Sequence, residues 1–83
     1  MIRVAIGFKY TEEWDSGQRW RSKEVVLVGD GDRRHTDRVL ARCPERHRAA
    51  LAAYLAPLLE GDEPPDGKYT NEFIMWWKRV EVL

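Results

Sequence analysis

A single cysteine, Cys43, is the whole thiol endowment of the chain, so no disulfide closes within it and packing alone has to hold the fold. That usage fits a reducing, cytoplasmic setting. Net charge is missing too. Fourteen basic side chains balance fourteen acidic ones, leaving no global field to draw in nucleic acid or a membrane surface. The longest nearly apolar run, residues 49–59, is far short of the ~20 residues that a spanning helix needs. Met1-Ile2-Arg3-Val4 lacks the basic-then-apolar layout of a secretory signal and reads as the start of a strand. Glycine-rich phosphate loops, Gly-x-Ser-x-Gly turns and Cys-x-x-Cys pairs are absent as well. We therefore expect neither an enzyme nor a bound metal or cofactor.

What is present suits one small folded domain. With 83 residues, only about 60–65% of the unfolded surface can be buried. The 43% hydrophobic and 34% charged composition excludes both a disordered chain and a membrane protein, and four tryptophans are a large apolar endowment for this length. From Ile2 to Val28 the chain reads as two strands folded back at Asp15-Ser16-Gly17-Gln18, turn residues between β-rich runs. A turn at Ser16-Gly17 sets Phe8 against Val25 and Ile6 against Leu27. It also sets Lys9 against Glu24, Glu12 against Arg21, Glu13 against Trp20 and Trp14 against Arg19. Opposed unlike charges contribute roughly 0.2–1 kcal/mol a pair. A slip by one residue breaks both ion pairs and turns one strand's apolar set to the wrong face.

Gly29-Asp30-Gly31-Asp32 ends the second strand. Asp30-x-Asp32 matches the first two ligand positions of a calcium loop, but Arg34 stands where a third oxygen belongs and no closing glutamate follows. It reads as a solvated turn. Thr36 is placed to cap a helical region over 36–60, with Asp37 in the first turn and Gly61 as the stop. At 100° per residue, Leu40, Cys43, His47, Leu51, Tyr54 and Leu58 share one face, with Leu55 at its edge. Arg34, Arg38, Arg42 and Arg46 fall on the other. Pro44 suits the first turn of a new helix, which divides the region into 36–42 and 44–60 and the arginine ladder into three plus one. Pro57 should loosen the last turn. The acidic segment 61–67 reads as an extended linker. In 69–83, Phe73, Trp76, Trp77 and Val80 would fit a helical stripe, but aromatic and β-branched enrichment favours a strand. Ile74, Trp76, Val80 and Val82 then share one face, and Phe73, Met75 and Trp77 the other.

The order β-β-α-β implies a single α+β domain: hairpin 2–28, helical region 36–60, linker 61–67 and terminal strand 69–83. A crossover through the helix returns the third strand beside the first, giving a three-stranded antiparallel sheet in the order 2-1-3. The helical layer covers Val4, Ile6, Phe8, Val25 and Leu27. Nothing is left to cover the second face, where Trp20, Val26, Val28 and one of Trp76 or Trp77 would lie, bordered by Arg3, Lys9 and Glu24. An apolar patch of that kind marks a protein interface, a symmetric homodimer included. The plainer alternative is tryptophans lying flat over a small core, shielded by charged stems.

Cys43 and His47, four apart, have the spacing of a thiol and base on one helical face, but no third group orients the imidazole. Zinc through His35, Cys43 and His47 would lack a fourth ligand. Both positions read better as core or boundary residues. Charge is strongly polarised along the chain. Six arginines meet two acids between Arg33 and Arg48, and four acids fall between Glu60 and Asp66. Arg34, Arg38, Arg42 and Arg46 are candidates for an acidic protein partner, or for nucleic-acid phosphates, unless the acidic linker of the same chain neutralises them. The hairpin tip brings Trp14, Arg19, Trp20 and Arg21, residue types enriched in binding hot spots. The reading this supports best is a non-catalytic protein-interaction module: an inhibitor, adaptor or small subunit, of the kind a virus or mobile element uses to block a host factor. The alternative is a nucleic-acid-binding accessory protein using the arginine face.

Overall fold

The computed structural model describes residues 2–14 and 17–80, with 13–14 and 17–22 given by their backbone course alone. Two long strands come first, β1 (Arg3–Trp14) and β2 (Gly17–Asp30). Two helices follow, α1 (Arg33–Arg42) and α2 (Glu45–Leu59), then a two-residue strand β3 (Lys68–Tyr69) and β4 (Phe73–Arg79). The sheet is antiparallel in the order β2-β1-β4-β3. The expected arrangement of three strands thus gains a fourth at its edge. β3 pairs only Lys68 with Met75 and Tyr69 with Ile74, too short a run to show in a hydrophobicity pattern.

The hairpin register is the one that apolar alternation and charge pairing demand. Ile6 faces Leu27, Phe8 faces Val25, Lys9 faces Glu24 and Glu12 faces Arg21. Beyond Glu12 the ladder changes. Trp14 pairs with Gly17, so Glu13 alone spans Gln18, Arg19 and Trp20, and the expected Trp14/Arg19 and Glu13/Trp20 pairs do not form. Two extra residues on β2 bulge it there. The Glu12 carboxylate reaches diagonally to Lys23 at 3.0 Å, two residues on from its direct partner.

The helical region begins earlier than Thr36. Asp32 is the cap, its carboxylate accepting from the His35 amide at 2.8 Å. Thr36 lies inside α1, buried, with its hydroxyl donating to the Arg33 carbonyl. The helix breaks where Pro44 places it, with Cys43 extended at the join. Arg48 then donates across the break, to the Cys43 carbonyl at 3.0 Å and, at 3.2 Å, to the Leu40 carbonyl that already accepts from the Cys43 amide. At the far end Gly61 adopts φ 80°, and the Asp62 and Gly61 amides return to the Pro57 and Leu58 carbonyls in a Schellman closure.

One face of the sheet carries the core. Val4, Ile6 and Phe8 of β1 and Phe73 and Met75 of β4 are buried against Val39, Leu51, Tyr54, Leu55 and Leu58 of the helices. The sheet's odd and even positions alternate faces, so this commitment fixes the other face completely. The acidic linker is held down as well. The Pro65 carbonyl accepts from the Tyr54 hydroxyl at 2.9 Å and from the Trp77 indole at 3.1 Å, joining the helical layer to β4.

Candidate protein-interaction surface

On the face away from the helices, Gly7 of β1 sits between Val26 of β2 and Trp76 of β4. One row along, Ala5 lies between Val28 and Lys78, and on the other side Lys9 lies between Glu24 and Ile74. Tyr69 follows beside Ile74. Among the described residues no element covers these rows. Val26 is 46% exposed, Val28 44% and Tyr69 81%. Of the two tryptophans considered for this face, Trp76 is the one present. Trp77 turns to the core side and packs against the buried cluster.

Trp76 stays half-buried because Gly7 has no side chain. A Cβ at Gly7 would stand 2.1 Å from the indole, so the ring lies directly on the bare strand. A glycine inside a strand commonly marks such an approach, and here it converts a gap in the sheet into an aromatic platform. Charges frame the platform by strand. Glu24 and Asp30 stand on β2, Arg3 and Lys9 on β1, and Lys78 on β4.

The arginine row resolves into two groups. Arg34, Arg38 and Arg42, joined by Arg33, are exposed on α1, and Arg33, Arg34 and Arg38 line a shallow groove that Asp37 and Ala41 complete. Arg46 belongs to the body of the protein: it donates to the Thr11 carbonyl and, at 3.0 Å, to His47 Nε2. Among the described residues no salt bridge joins the acidic linker to α1. The linker's Glu63 pairs with Arg79 of β4. Trp14, Arg19, Trp20 and Arg21 lie on the part of the hairpin that runs past the last β1–β4 pair, Tyr10 with Phe73, and their side chains fall outside the described residues.

The histidines and the thiol are packed groups. His47 stacks on Phe73 with ring centroids 4.4 Å apart and planes within 6°. Burial, and then the Arg46 guanidinium, hold its pKa below 6.5 against a small opposing pull from Glu72. Burial pushes the Cys43 thiol up, only partly offset by Arg48, which favours the protonated thiol. His35 is buried over Gly29, its Nε2 donating to the Leu27 carbonyl at 3.2 Å, and its Nδ1 has no hydrogen-bond partner among the described residues. Among the described residues no three His, Cys, Asp or Glu side chains converge as metal ligands. A cleft of about 600 Å³ between Ile2, Gly31, Leu58, Leu59 and Gly61 holds Asp32, already engaged as a cap. No helix is long and apolar enough to cross a membrane, among the described residues. Compared with family models, curated proteins and solved structures, the chain matches none.

Proposed function

We propose that this chain is a non-catalytic protein-interaction module that acts as an inhibitor, adaptor or small subunit by occupying a partner's surface. The observation that supports it is the uncovered sheet face: Val26, Val28 and Tyr69 exposed around a tryptophan platform on a strand-built, rigid support. Exposed contiguous apolar surface of this kind favours a protein partner, and central aromatic anchors carry most of the binding energy where one forms. The projecting hairpin adds Trp14, Arg19, Trp20 and Arg21 as binding residues beyond the platform.

The test places a photo-crosslinking side chain at position 28, with position 53 on the outer surface of α2 as control, in the native host. Protein adducts from 28 and none from 53, lost when Trp76→Ala is added, are the expected result. No protein adduct at 28 would end this reading.

A second reading rests on a separate observation, the four exposed arginines of α1 against the single acid Asp37. They suit phosphates or a carboxylate-rich surface equally. If nucleic acid is the partner, Arg38→Glu with Arg42→Glu should flatten the plot of log affinity against log salt by about 0.9 for each phosphate that is no longer neutralised. Purified protein that ignores DNA and RNA at low salt removes this second reading.

A further inference from the structure

We infer that the open sheet face is occupied by a second copy of this chain, in a face-to-face two-fold dimer whose axis runs parallel to the strands between β1 and β2. This rests on the interaction-surface reading above and names the partner. The support is the order of residues on the two strands. Along β2 the face reads Asp30, Val28, Val26, Glu24, and along β1, at the same levels, Arg3, Ala5, Gly7, Lys9. A two-fold axis between and parallel to the strands exchanges the two columns without changing level. Asp30 then meets Arg3 of the partner copy and Glu24 meets its Lys9, while Val28 lies over Ala5 and Val26 over the Trp76 ring that covers Gly7.

Each ion pair occurs twice, and the two apolar rows fall between them. That is the self-complementarity a two-fold interface requires, since any patch must fit its own rotated image. Alternative axes fail on the same residues. An axis across the strands sets Asp30 over Glu24, like against like. One directly above β1 sets Lys9 over Lys9 and Arg3 over Arg3. Sheets packed this way lie about 10 Å apart at a small angle, so the Trp76 ring and the two valines fill the gap. From strand spacing and rise, the two strands that face each other across this axis offer, over seven residues, about 230 Å² of flat area a copy. That is below the size of standard specific interfaces, so the dimer should be weak and dissociate on dilution between millimolar and micromolar concentration.

Sedimentation equilibrium of the full chain, from low micromolar to near millimolar, tests this. The expected result is a reversible monomer–dimer equilibrium. Lys9→Glu alone and Glu24→Lys alone should each weaken it roughly tenfold or more, because each sets like charges against each other twice. The exchange of both in one chain should restore it, with circular dichroism confirming the fold of all three. Val28→Asp should leave a monomer. A monomer at every concentration overturns the proposal, as does a dimer indifferent to both single charge variants, or an exchange that fails to restore association. A monomer that still crosslinks to another protein from position 28 removes self-association and leaves the broader reading in place; a monomer without any crosslink removes both.

Discussion

Gly7 and Trp76 form one unit, and they predict together. Gly7→Ala drives a methyl into the indole and should cost about 1–3 kcal/mol in urea unfolding, with a shift in tryptophan emission as the ring is displaced. In a Trp76→Ala background the same substitution should cost almost nothing. Two titrating residues make predictions of opposite sense. His47 resists protonation in the fold while an unfolded histidine takes up a proton near 6.5. Stability is therefore complete above that pH and falls as the pH drops through 6.5. Urea midpoints at pH 7.5 and 5.5 should show the loss, and His47→Phe, which keeps a ring against Phe73, should reduce it. Tyr54 is pushed up to about 12 by burial first and by the Asp66 carboxylate second. An unfolded tyrosine ionises near 10, so stability declines as pH rises through the window between. Absorbance titration should show a late phenolate that is absent in Tyr54→Phe.

At the scale of elements, α1 depends on an aspartate that two neighbouring signals obscured. Asp32→Ala removes the acceptor for the His35 amide and should cost about 0.5–2 kcal/mol, whereas Thr36→Val keeps the buried shape and loses only the hydroxyl's bond to the Arg33 carbonyl. Thr36 was the nearer polar residue to an apolar run, and Asp32 stood in a turn-like glycine context, so sequence alone favoured the wrong cap. The hairpin register was legible because Lys9, Glu12, Glu24 and the alternating apolar residues all demanded one pairing. The break at Pro44 was legible from proline's missing N–H, and the stop at Gly61 from its freedom at positive φ. The bulge beyond Glu12 was not, since nothing in Gln18-Arg19-Trp20 distinguishes a paired residue from an extra one. β3 is shorter than any periodic signal. On the surface, the uncovered face followed from counting elements, and an unexplained glycine inside a strand could have singled out Trp76 over Trp77. Arg46 and Arg48 show the reverse limit. Arginines equal in sequence became backbone ligands on α2 and exposed cations on α1, a division that only the fold decides.

For the whole molecule, size sets the margin. At about 0.05–0.15 kcal/mol per residue, 83 residues have about 4–12 kcal/mol of stability in all. Leu51→Ala, in a fully buried site, should remove about 2–5 kcal/mol of that and leave a chain partly unfolded at 37 °C, which thermal circular dichroism would show. The two layers nevertheless meet at a point that mutation cannot easily reach. The acceptor shared by Tyr54 and Trp77 is the main-chain oxygen of residue 65, and every amino acid carries one. Substitution tolerance along the linker should therefore be uneven. Position 65 should accept many residues in a saturation library, while Tyr54 and Trp77, whose side chains supply the donors, should accept few. The identity of this latch would be preserved by two aromatic positions far from the residue they hold.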